Sequence, residues 1–242
     1  MAPELSNSGP VAIVTAAGKG IGAGIARRLA ADGYRLALLS SGGGAADLAG
    51  QLGPDAAIAV TGSVTDPKAL TALVDSTVNS YGRIDAVVNN TGHPPKGDLL
   101  NISDDDWHLG MDMLLLNVVR MARLVTPIME RQGGGSIVNI STYAAFEPDL
   151  AFPVSSSLRA ALGDFTKLFA DSYAKAGIRM NNVLPGFTES YPENPENVAR
   201  IPMGRYGSVD EIAGTVAFLV SADAGYVTGQ NLRVDGGLSR SV

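Results

Sequence analysis

The sequence predicts an α/β protein built on a doubly wound parallel sheet, with helices on both faces. Three observations predict it. Short apolar runs alternate with longer amphipathic ones along the chain, which is the pattern of repeated strand–helix units. The first apolar run passes directly into a glycine-rich turn and then into a helical pattern. The 242 residues, 45% apolar and 17% charged, hold enough apolar material for one large core and too little charge for disorder. No repeat, linker or shift in composition interrupts the pattern, so residues 1–242 are expected to form a single domain.

Residues 11–15 (VAIVT), small and β-branched, read as the first strand, and a helix follows over 21–32. Strands are expected at 35–39 and 58–61. A helix over 67–81 starts at Pro67, where a missing N–H costs least. The fourth strand covers 85–89. A long helix spans 104–132, with a kink expected at Pro127. Strand 136–140 and helix 157–176 come next, the helix ended by Gly177 as a C-terminal cap. Strand 179–184 leads into a stretch from Gly186 to Ile201 rich in Pro and Asn, expected to be a mobile loop. Helix 209–221 and strand 231–234 complete the domain.

Composition excludes several function classes. A net charge of −6 without a basic run argues against nucleic acid and anionic membranes as partners. The absence of Cys removes disulfides, thiolate nucleophiles and thiolate-bound metals, and only two His make a histidine metal site unexpected. No apolar run reaches the roughly 18 residues of a membrane helix. The N-terminal residues MAPELSNSGP lack the basic and apolar regions of a secretory signal, so a cytoplasmic protein is expected.

The first turn carries the most specific chemistry. Thr15-Ala16-Ala17-Gly18-Lys19-Gly20-Ile21-Gly22 runs from strand to helix. Gly20 and Gly22 fall where a backbone approaches a pyrophosphate closely, at a helix N-terminus whose N–H groups favour anions. Three further motifs follow in order. These are Asn89-Asn90-Thr91-Gly92, Pro185-Gly186, and the segment 205–237 ending in Asp235-Gly236-Gly237. Together they resemble the short-chain dehydrogenase/reductase family along nearly the whole chain, with Ala16 where that family has its first turn glycine.

The resemblance implies a Rossmann fold and a nicotinamide dinucleotide. Thr15, Gly18, Lys19, Gly20, Ile21 and Gly22 would hold it at the first turn. Asn89 and Gly92 would contact it after the fourth strand, and Arg159, at the family's Lys position, would contact its ribose. Pro185, Gly186 and Thr188 would contact it after the sixth strand. Ser40 and Ser41 stand where the family reads NAD against NADP. No carboxylate occurs in Leu38–Gly42, and Lys19 can meet a 2′-phosphate, so NADP is expected over NAD, with no bound dinucleotide as the remaining alternative. The family's adenine-contacting Asp is replaced by Ser63. If position 16 needs a positive φ, Ala16 imposes about 1 kcal/mol of strain.

The family's catalytic side chains are all substituted. Its Ser falls on Thr142, its Tyr on Ser155, its Lys on Arg159 and its Asn on Leu114. Asn117, one helical turn further on, either stands in for that Asn or, the favoured reading, is a plain helix-surface residue. An aliphatic hydroxyl is far less acidic than a phenol of pKa about 10, and losing general acid catalysis costs roughly 10²–10⁴-fold. Tyr143, next to Thr142, and His93, after the Asn-Asn-Thr-Gly motif, are candidate replacement donors. Glu147, Asp149, Glu189 and Tyr191 rank behind them.

Three functions remain open. The first is an NADP(H)-linked oxidoreductase acting on a carbonyl/alcohol pair through an atypical site. The second is a catalytically inactive member that binds a dinucleotide or metabolite. The third is non-redox chemistry, as in the related halohydrin dehalogenases, which share Arg at the Lys position but keep the Tyr. The resemblance also implies a homotetramer or homodimer formed through 209–221 and 231–234, with a small molecule as substrate.

Overall fold

The computed structural model describes residues 9–241; the expectation about a secretory signal falls largely on residues 1–8 and lies outside them. A single parallel sheet of seven strands runs in the order β3-β2-β1-β4-β5-β6-β7. The strands are β1 (Val11–Thr15), β2 (Arg35–Ser40), β3 (Ala57–Thr61), β4 (Ala86–Asn89), β5 (Gly135–Ile140), β6 (Ile178–Pro185) and β7 (Asn231–Val234). The order reverses direction between β1 and β4. That topological switch point opens a crevice at the carboxyl ends of the strands, where ligands bind in such sheets.

Helices cover both faces, so the central strands read as continuous apolar runs. In β1, Ala12 and Val14 join one core, with Ala26 and Leu29 of α1 (Gly20–Ala31), Leu48 of α2 (Gly44–Leu52) and Val216 of α8 (Val209–Val220). Ile13 points to the other core, with Leu73 of α3 (Pro67–Tyr81), Met121 and Val125 of α5 (Asn117–Gln132) and Phe169 of α6 (Pro153–Tyr173).

Several details depart from expectation. Helix α2 was not anticipated: its Gly42-Gly43-Gly44 start reads as loop, but the Ser40 hydroxyl accepts from the N–H of Ala45 at 2.9 Å, and Ala45, Leu48 and Ala49 are buried. The long helix is irregular at Asp112–Leu116, a π-helical turn between α4 (Asp104–Met111) and α5, and Pro127 lies inside α5. α6 begins earlier than expected, at Pro153, and hands over to a 3-10 turn at Ala174–Ala176. Gly177, at φ 74°, ends that turn as predicted. The stretch expected to be an open loop contains α7 (Pro195–Arg200) and a parallel bridge from Thr188 to Gly207.

Four adjacent strands are also joined by side chains. Asn89, Asn139, Asn182 and Asn231 stand in register on β4 to β7. Asn89 donates to Asn139 at 2.9 Å, Asn139 to Asn182 at 2.9 Å, and Asn182 to Asn231 at 2.7 Å. Thr166 of α6 donates to the same Asn182 oxygen at 2.9 Å. The Asn89 side chain, expected at the cofactor, is therefore tied into the scaffold.

Candidate functional site

The β1–α1 turn is built for close approach. A Cβ at Gly22 would lie 2.2 Å from the carbonyl oxygen of Ala16, so only glycine fits. Gly20 takes φ 53°, and Ala16 takes φ 47°, the one positive-φ non-glycine among the described residues. The conditional expectation of strain at Ala16 therefore applies, at about 1 kcal/mol. Lys19 is the N-cap of α1 but makes no side-chain cap hydrogen bond, which leaves the first-turn N–H groups to an anion. Gly18 packs against the start of α2, where its Cβ would meet Gly44 Cα at 3.2 Å.

Other residues of the predicted cofactor set serve the scaffold. The Thr15 hydroxyl donates to the Asn90 carbonyl at 2.6 Å and accepts from the Asn90 N–H at 2.9 Å, tying β1 to β4. The Ser40 hydroxyl donates to the Gly42 carbonyl at 2.7 Å and caps α2, whereas Ser41 is exposed. Thr188 is buried, its hydroxyl 2.7 Å from that of Ser190. Gly186 is held against Asp235, whose Cα would lie 2.9 Å from an added Cβ.

Beyond the turn, the strand ends enclose a cavity of about 370 Å³. Segments 90–96, 140–143 and 185–188 form its walls with Ile21, Phe152, Ser155 and Arg159, and no Asp or Glu lines it. A larger hollow of about 800 Å³ lies along the outer faces of α1 and α8, beside Arg27, Arg28 and Asp210. We place the chemistry in the smaller cavity because the strand ends converge there with Thr142, Ser155 and Arg159, three of the four positions to which the resemblance assigns catalysis. Gly92, Thr142, Ser155 and Arg159 all line it. Leu114 and Asn117 do not line it but are buried, so the expectation of a surface Asn117 is corrected.

Arg159 dominates the cavity electrostatically. Its Nη1 donates to the Ile140 carbonyl and its Nε has no partner within the chain. Burial pulls its pKa down to about 10, which leaves it charged at neutral pH. The hydroxyls of Thr91 and Ser141, also in the cavity wall, are buried without partners as well. A buried polar group left unpaired costs about 1–3 kcal/mol. A cation and two hydroxyls in that state, beside a bare helix N-terminus, fit the ribose and pyrophosphate of a dinucleotide. Thr91 and Ser141 escaped the sequence reading; the only trace was Thr91 in place of Ala in the family's Asn-Asn-Ala-Gly motif.

The candidate donors separate clearly. The Tyr143 hydroxyl donates to Asp149 at 2.8 Å, and Arg200 approaches the same carboxylate at 3.3 Å. Burial, then the bond to Asp149 and its charge, push the Tyr143 phenol well above its usual value, which makes it a weaker acid than a free phenol. Glu147 binds the backbone N–H groups of Arg240 and Ser241, and Glu189 accepts from the N–H of Val209 at 2.7 Å. His93 and Tyr191 both line the cavity with their ring centroids 4.7 Å apart, and the Tyr191 hydroxyl lies against both imidazole nitrogens. Among the described residues no three His, Asp or Glu side chains cluster to hold a metal, and no helix is long and apolar enough to cross a membrane.

Known proteins agree with this architecture. A family model described as enoyl-(acyl carrier protein) reductase matches residues 15–239. The 3-oxoacyl-(acyl-carrier-protein) reductase of Salmonella typhimurium is 32% identical over 242 residues, 97% of this chain and 99% of its own. That of Thermotoga maritima is 36% identical over 183 residues, 73% of this chain and 74% of its own. Dehydrogenase/reductase SDR family member 4 of Caenorhabditis elegans is 31% identical and covers 95% of each chain. A crystal structure of a blue fluorescent protein from a metagenomic library, in complex with NADPH, matches with a TM-score of 0.90 at 32% identity, over 96% of this chain and 99% of that one.

Proposed function

The chain belongs to the short-chain dehydrogenase/reductase family, and on that premise we propose that it is an NADP(H)-dependent oxidoreductase of a carbonyl/alcohol pair with an atypical proton-transfer site. The observation that carries the proposal is the Arg159 Nε and the Thr91 and Ser141 hydroxyls, buried without partners beside the open N-terminus of α1. In this reading the N–H groups following Lys19 hold the pyrophosphate. Lys19 and the exposed Ser41 hold the 2′-phosphate, in a turn without a carboxylate. Arg159 and Thr91 hold the ribose hydroxyls. The bound dinucleotide supplies hydride chemistry. Thr142 and Ser155 orient the substrate oxygen by hydrogen bonding, and Pro94, Pro95, Phe152 and Phe187 give the substrate an apolar wall. A 3-oxoacyl thioester is the first substrate to try, because the relatives' names point to that class.

Calorimetric titration with NADPH, NADP, NADH and NAD tests the cofactor, followed by turnover of short 3-oxoacyl thioesters. Micromolar NADPH binding is expected, at least tenfold tighter than NADH, with Lys19→Ala removing the preference. Absence of binding by all four sinks the reading. Binding without turnover of any carbonyl substrate favours a second reading, a catalytically silent dinucleotide-binding member. Ser155 in the phenol's place is the observation behind that reading.

A further inference from the structure

With no phenol at position 155, the reaction needs another proton donor, and the cavity offers few. Its titratable side chains are His93, Lys96, Tyr143, Arg159, Tyr191 and Tyr206. Tyr143 is committed to Asp149. The Tyr206 hydroxyl accepts from the N–H of Asn194 at 3.2 Å and from the Asn197 amide at 3.3 Å, which makes it an anchor for α7. Arg159 stays charged, and Lys96 lies over the Phe152 ring, 4.8 Å from its centre. His93 and Tyr191 remain. They come from segments 98 residues apart in sequence and pack together, with ring centroids 4.7 Å apart and the hydroxyl against both imidazole nitrogens.

We propose that His93, oriented by Tyr191, exchanges the proton with the substrate oxygen in place of the missing phenol. The inference rests on the oxidoreductase reading. In reduction, the carbonyl carbon gains a hydride from the dihydronicotinamide, the C=O π pair moves onto oxygen, and the oxygen takes a proton from the His93 imidazolium. The imidazole is left neutral and is reprotonated from solvent. In oxidation the alcohol O–H gives its proton to neutral His93 as the carbon gives up its hydride. Tyr191 acts as a positioning residue.

The surroundings set the direction of pH dependence. Burial comes first, then the cations Lys96 on its own segment, Arg159 from α6 and Lys19 from the β1–α1 turn, and together they hold His93 below the ordinary histidine value of 6.5. The neutral base therefore predominates at pH 7. Oxidation runs at its plateau there and falls as the pH drops below the His93 pKa, while reduction rises over the same interval.

The test combines imidazole NMR with turnover. Only His93 and His108 contribute signals, and His108, exposed on α4, is removed by His108→Gln. The remaining signal is expected to titrate below 6.5, to shift when NADPH is added, and to change its pKa in Tyr191→Phe. A signal indifferent to both NADPH and Tyr191→Phe overturns the proposal. In turnover, His93→Gln is expected to lose on the order of 100-fold in kcat and the acid limb of the pH profile, with the NADPH Kd within twofold of wild type. If His93→Gln turns over like wild type, the proposal falls while the oxidoreductase reading stands. If wild type binds NADPH but reduces no carbonyl, the oxidoreductase reading itself falls.

Discussion

Ser155 and Arg159 stand one helical turn apart on α6, where the family resemblance implies a Tyr and a Lys. The serine is too short and too weak an acid to replace a phenol. The arginine keeps a positive charge while giving up the proton exchange available to a lysine. It also sits buried with one neutral partner, the Ile140 carbonyl. A buried charge without a counter-ion destabilises a fold, and an apolar side chain of similar length is often better tolerated. Arg159→Met is therefore expected to leave the melting temperature unchanged or raise it while weakening NADPH binding at least tenfold. Thermal melts and titration check the two effects separately. A lower melting temperature would mean that Arg159 serves the fold and not a ligand.

At the level of elements, the asparagine ladder joins β4 to β7 and receives Thr166 from α6. It keeps the strand ends that carry segments 90–96, 140–143 and 185–188 in register, and so fixes the walls of the cavity. Asn182 is its centre. Asn182→Leu strands Asn139, Thr166 and Asn231, each at a cost of about 1–3 kcal/mol. A loss of about 3 kcal/mol or more is expected, a fall of roughly 6–12 °C in melting temperature. A fall no larger than that of Thr166→Val would remove the ladder from this role. Nothing in the local sequence marked these four residues as one network, because each partner lies on a different strand.

For the whole molecule, several large apolar side chains of the C-terminal part remain exposed. Leu168 of α6, Phe218 of α8, Tyr226 and Leu232 of β7 all face solvent. The same two C-terminal elements, 209–221 and 231–234, are where the sequence led us to expect self-association. We expect a homotetramer or homodimer, to be checked by light scattering on a sizing column, with Phe218→Asp shifting it towards monomer; a wild-type monomer at micromolar concentration would refute this. The sequence by itself determined the doubly wound sheet, the order of its strands' appearance and the glycine cradle. All of these follow from local periodicity, from turn residues with special backbone needs and from motif spacing. Only the tertiary structure decided how the polar groups are used. It tied the side chains of Thr15, Ser40 and Asn89 into the scaffold, left the Thr91 and Ser141 hydroxyls and the Arg159 Nε unpaired in the cavity, tied Tyr143 to Asp149 and brought Tyr191 to His93. It also formed α2 from a glycine run that reads as loop. A hydrogen-bonding group is spent or left free according to what folding places against it, and here those partners come from distant parts of the chain.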